Sequence, residues 1–190
     1  MKIKLNTTNL YQALRRVSNA MNRDATRTTQ NQIAIVRVDN AVDIVATDGH
    51  RMLRWREPIV EMDDPGGAQR VHVGVDYVKT AILVLKGKSG LCTLDTDAES
   101  CTTTEGTTFH TRCTNADFPP YDVLLAACER EPKCEHPCSV TMNGGYVADL
   151  EAAFAPEGFY MRFGDDLDAV WITSRSPTIP MVGVLMPVRK

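Results

Sequence analysis

The chain has 190 residues, 43% of them hydrophobic, with 21 basic and 24 acidic side chains and a net charge of −3. That length buries a substantial core and suits one large domain or one and a fraction. The charge balance excludes tight nucleic-acid binding by overall charge, no apolar run approaches the roughly 18 residues of a membrane span, and Met1-Lys2-Ile3-Lys4 lacks a signal-peptide core, so a cytoplasmic protein off the membrane is expected.

In chain order, KIKLNTTNLYQALRRV (2–17) predicts a short alternating strand, a polar turn and an amphipathic helix. Leu10, Leu14, Val17 and Met21 recur at helical steps, with Thr8 as the cap residue. Strands follow at NQIAIVRV (31–38) and VDIVATD (42–48). VEMDDPGGAQ (60–69) reads as a loop, and RVHVGVDYVKTAILVL (70–85) repeats the strand-turn-helix pattern with Asp76 as cap. GLCTLDTD (90–97) and TTFHTRCT (107–114) are its strands. A connector rich in Pro and charge, 115–138, leads to CSVTMNGGYVADLEAAF (138–154), capped by Asn143, and then to the strands FYMRF, AVWITS and VGVLMP.

The three helical segments are copies of one another. Ile3, Val71 and Val140 fall together, as do Leu5, Val73 and Met142, then Leu10, Val78 and Val147, then Val17, Leu85 and Phe154. The period is about 68 residues. An α+β plan follows, with three β-α-β-β-β half-units whose antiparallel sheets carry helices on one face. Residues 1–125 would form a two-unit domain, 126–137 a connector, and 138–190 a single unit.

Six cysteines are present, and Cys128, Cys134 and Cys138 cluster with His136. Their C-x5-C-x3-C spacing does not match common zinc-ligand pairs, so reduced thiols and no metal are expected. No nucleotide-binding loop or other cofactor motif is visible. An Asp48-Gly49 turn followed by His50 and Arg51 reads by itself as a hairpin signal. An enzyme is not expected, because no Ser, Cys or carboxylate stands at a diagnostic spacing from His50. The remote alternative is a zinc or thiol hydrolase using His50, His110, His136 and the cysteines.

VATDGHRM (45–52) resembles the V-A-T-D-G-H-R-L signature of the middle domain of the bacterial β sliding clamp, the ring-shaped processivity factor of replicative DNA polymerase. VLMPVRK (184–190) resembles the V-M-P-M-R-L ending of the clamp chain, and ADFPPY (116–121) the F-P-x-Y that closes its middle domain. The matches fall in the family's order. Residues 1 to about 125 resemble the middle domain, and residues from about 138 to 190 the second half of the last.

The resemblance implies a peptide pocket for polymerase and repair proteins, lined by Arg27, Thr47, Gly49, His50, Arg51, Met52, Pro119, Leu124, Val184, Met186, Pro187, Val188 and Arg189. Gly49 would admit a partner backbone, Met and Val would make an adaptable floor, and the arginines would supply donors at the rim. Val123 stands where the family has a basic residue and Gln30 where it has an apolar one, so altered peptide preference is expected. Family helices line a central hole, which would place Arg15, Arg16, Arg23, Lys79, Lys86 and Lys88 near duplex DNA for loose, sequence-independent contacts. Asp149 and Glu151 would sit badly beside DNA if they pointed inward.

A family ring holds twelve half-units, so three per chain implies a homotetramer that encircles duplex DNA, with a clamp loader as a further partner. The alternative is a non-encircling clamp mimic that captures clamp-binding peptides as a regulator or competitor.

Overall fold

The structure, a computed structural model, describes residues 1–22, 30–64, 69–110, 118–129, 140–164 and 168–188. Arg23, Arg27, Arg189, Cys134, His136 and Cys138 lie outside the described residues. Among the described residues no helix is long and apolar enough to cross a membrane.

The first unit comprises β1 (Lys2–Asn6), α1 (Thr7–Val17), β2 (Gln32–Val38), β3 (Ala41–Thr47) and β4 (Arg51–Pro58). A further strand, β5 (Glu61–Asp64), lies within the segment read as a loop, because it pairs antiparallel with β1. The second unit comprises β6 (Arg70–Gly74), α2 (Val75–Leu85), β7 (Leu91–Asp95), β8 (Ser100–Thr103) and β9 (Thr108–His110). A helix absent from the sequence expectation, α3 (Tyr121–Glu129), occupies part of the connector. The third unit comprises α4 (Gly144–Phe154), β10 (Phe159–Arg162), β11 (Val170–Ser174) and β12 (Met181–Leu185).

The caps differ from two of the three expectations. Asn6, rather than Thr8, caps α1 by accepting from the Asn9 amide at 3.0 Å, and Gly74 precedes α2 with Asp76 in the first turn. Asn143 caps α4 through the Gly145 amide at 2.9 Å.

Two antiparallel sheets result, with strand orders β5-β1-β7-β8-β9 and β10-β11-β12-β4-β3-β2-β6. Units one and two exchange their first strands. β1 pairs with β7 so that Ile3 faces Leu94 and Leu5 faces Cys92, while β6 pairs with β2 so that Val71 faces Ile35 and Val73 faces Ile33. The third unit joins the larger sheet through β12 and β4, where Val184 faces Met52 and Leu185 faces Arg51. Gly183 permits this approach, since a Cβ there would lie 2.9 Å from the Leu53 side chain.

Strand alternation sends Leu53, Trp55, Leu185 and Met181 into one continuous core shared with Leu10, Leu14, Val78, Leu85, Leu150 and Phe154 of the helices. Cys92 and Cys101 are free thiols inside it, and the hydrogen bond with Cys92, reinforced by burial, pushes Cys101 up and keeps it protonated. On the opposite face of the larger sheet, Met52, Val45, Trp171 and Val184 form a second cluster with Phe118, Tyr121 and Leu125. Tyr121 and Leu125 are one helical step apart on α3 and Phe118 lies just before it, which seats α3 on that face.

Polar ties hold the third unit and α3 in place. Arg16 is 5% exposed; its guanidinium donates to both Glu157 oxygens at 3.0 and 3.1 Å and to the Ala153 carbonyl at 3.1 Å. It is therefore committed to joining α1 to α4 and is removed from the set of DNA-facing cations. Arg51 is likewise buried, paired with Asp48 at 3.1 Å and with Asp149 of α4, and its guanidinium lies 4.7 Å from the Tyr146 ring centre. Asp149 thus has its charge answered within the fold. On the other face, Asp43 accepts from Nε and Nη2 of Arg56 at 2.7 and 2.8 Å and from the Tyr121 hydroxyl at 3.3 Å.

Replacing Arg51 by Ala removes its buried ion pairs with Asp48 and Asp149 and should destabilise the chain by about 3 kcal/mol, read as a lower urea midpoint at unchanged slope. Lys at this position should restore only part of the loss, because an ammonium cannot reproduce the planar two-sided contact. Burial, reinforced by the Asp43 carboxylate, pushes Tyr121 up to about 12 from its ordinary 10.0. Its contribution to stability is full below pH 10 and is lost as pH rises to about 12; Tyr121→Phe should flatten the alkaline limb of urea midpoint against pH in that window.

Candidate functional site

The turn between β3 and β4 is held by its own side chains. The Thr47 hydroxyl donates to the Arg51 carbonyl at 2.7 Å and accepts from the Gly49 amide at 3.1 Å. Asp48 Oδ1 accepts from the amides of His50 and Arg51, each at 2.9 Å. Gly49 adopts φ +88°, and a Cβ there would approach the Gln30 amide nitrogen to 3.0 Å. Thr47-Asp48-Gly49 is therefore required by the turn itself.

This turn is sewn to the two other elements of the site. The Met186 amide donates to the His50 carbonyl at 2.8 Å, which anchors the segment after β12. The His50 ring stacks on Tyr146 of α4, with centroids 5.8 Å apart. Between them opens a cleft of about 420 Å³, lined by Gly49, His50, Asn143, Tyr146, Met186, Pro187 and Val188. Val188 is 46% exposed, so the cleft has an apolar lip open to solvent.

Of the predicted pocket residues, Gly49, His50, Met186, Pro187 and Val188 meet in this cleft. Thr47 and Arg51 are buried beneath it and engaged internally, so neither supplies a rim donor. Met52 and Val184 point to the opposite sheet face, where the cluster containing Phe118, Tyr121 and Leu125 covers them. Leu124 packs at the margin of that cluster, and Pro119 is half-buried. The expected single floor is thus divided by the pleat of the sheet.

Asn143 and Tyr146 belong to the cleft and were not predicted in it. The cap signal at Asn143 was readable; that Tyr146 would reach the β3–β4 turn depends on how α4 docks. Gln30 is held by Asn22, whose side-chain amide donates to it at 3.1 Å, and Val123 is 66% exposed on α3. Of the predicted DNA-facing cations, Arg15, Lys79 and Lys86 are exposed, whereas Lys88 is half-buried and paired with Glu105.

A larger groove of about 720 Å³ runs beside Arg54, Arg56, Thr173 and Pro180 and contains none of the predicted residues. Among the described residues no group of three His, Cys, Asp or Glu side chains could hold a metal. His110 lies on β9, in the other sheet from the strands that flank His50.

No protein-family model and no curated protein matches the sequence. Solved structures do. The DNA polymerase III β subunit of Thermotoga maritima is similar over 100% of this chain and 66% of its own, with TM-score 0.80 and 15% sequence identity. The β chain from Streptococcus pneumoniae gives TM-score 0.80 at 14% identity, over 100% of this chain and 65% of its own. The sliding clamp of Bartonella birtlesii, solved bound to griselimycin, gives TM-score 0.77 at 17% identity, over 100% of this chain and 66% of its own. The chain spans just under two thirds of the length of these relatives, and its described residues have the fold of the bacterial DNA sliding clamp.

Proposed function

We propose that this protein is a sliding-clamp-like processivity factor that closes as a ring around duplex DNA and tethers polymerase or repair proteins through the cleft beside His50. The observation that carries the reading is the cleft itself. The turn, the segment after β12 and α4 converge there to leave an open apolar lip. It lies at the junction of two units in a fold that sliding clamps share.

Three half-units per chain support a ring of four chains. Sliding requires weak, sequence-independent contact with phosphates, which suits a net charge of −3 with a few exposed cations such as Arg15, Lys79 and Lys86. The ring has no catalytic step of its own in this reading, any loader acts on it from outside, and its place is the cytoplasm.

A fluorescent peptide carrying Gln and Leu/Phe side chains should bind the full chain saturably. Tyr146→Ala or Met186→Asp should weaken it by about tenfold or more, the loss of one good apolar anchor. Unaltered affinity in both folded variants would remove the cleft from the proposal. Light scattering after size exclusion should give the mass of four chains, whereas one or two chains at every concentration would remove the ring.

A further inference from the structure

Units one and two share a pairing rule. The first strand of each joins the first strand after the helix of the other, so Ile3 faces Leu94 and Leu5 faces Cys92, while Val71 faces Ile35 and Val73 faces Ile33. These eight side chains are at most 3% exposed. The third unit has the post-helix strand, β10, and at the place of a first strand it has segment 140–142, which is not in a sheet; among the described residues neither has the partner that the rule gives it.

Val140 and Met142 stand where Ile3 and Leu5 stand in the repeat, yet they are only half-buried. Phe159 and Met161 of β10 point into the core as Cys92 and Leu94 do, and they too are half-buried. Among the described residues β10 closes one end of the larger sheet and pairs with β11, and Tyr160 on it is 62% exposed. Val147, at the position of the buried Leu10 and Val78, is also half-buried.

One side of segment 140–142 is already used. The Val188 amide donates to the Thr141 carbonyl at 2.8 Å, as the Val60 amide donates to the Lys4 carbonyl at 3.0 Å, and Lys4 and Thr141 are equivalent in the repeat. In unit one the remaining side of the strand takes β7; in unit three it is the side left for a strand of β10 type.

We propose that the third units of two chains pair about a twofold axis, segment 140–142 of each adding to β10 of the other. Val140 then faces Met161 of the second copy and Met142 faces its Phe159. The occupant is a second copy because the rule is reciprocal. A unit that offers both a first strand and a post-helix strand is complementary to itself, which is the condition for a closed isologous contact. Pairing also removes the exposed edge of β10. This deepens the ring reading and rests on it only for the number of chains.

Light scattering of the full chain and of Met161→Lys tests it. The unaltered chain should have an even number of copies, and the substitution should halve the mass while the chain stays folded by circular dichroism. Four chains falling to two supports both the pairing and the ring; two falling to one supports the pairing and removes the ring. A single-chain mass for the unaltered protein, or a folded variant of unchanged mass, overturns the pairing. Since Met161 also packs against the shared core, hydrogen exchange of the unaltered protein gives an independent reading. Amides of 140–142 and 159–162 should exchange at least about tenfold more slowly in the assembly than after dilution to single chains. Equal rates at the two concentrations would overturn it.

Discussion

A β-α-β-β-β unit cannot cover its own helix, and this constraint organises the molecule. In units one and two each first strand leaves its unit to complete the sheet of the other, so β1 lies beside β7 and β6 beside β2. The apolar side chains of both units then close over α1 and α2 in one core. Stability is therefore a property of paired units, as expected when burial dominates folding. The third unit satisfies the constraint on one side only, through β12 against β4 and through Arg16 and Arg51, whose buried cations hold the loop after α4 and α4 itself.

That arrangement changes the meaning of the signature around residue 48. Thr47, Asp48 and Gly49 make the turn, Arg51 locks it to α4, and His50 with Met186 to Val188 faces solvent. Most of the motif is spent on building the junction, and only its exposed remainder is offered to a ligand. The same division explains why Asp149, an apparent obstacle to DNA on α4, is electrostatically answered within the fold.

Much of this was legible in the sequence because period and position carry it. The core positions Ile3, Val71, Leu10, Val78, Val17, Leu85 and Phe154 fall in register, and every one is buried. What escaped was decided by tertiary contact. Helix α3 lay hidden in a connector whose Pro and charge content suggested a loop, yet Phe118, Tyr121 and Leu125 make it a lid over Met52 and Val184. Arg16 looked like a surface cation on α1, but its burial depends on where Glu157 arrives, which no local pattern encodes. Met52 and Arg51 are adjacent in the motif and were assigned to one pocket; strand alternation sends them to opposite faces.

In the proposed assembly, chains with three half-units close into a ring. Electron micrographs of the purified full chain test this most directly. Class averages should show a closed ring with an open centre, built from twelve repeating half-units. Averages of compact single particles or open arcs, at concentrations where the protein is fully assembled, would contradict it.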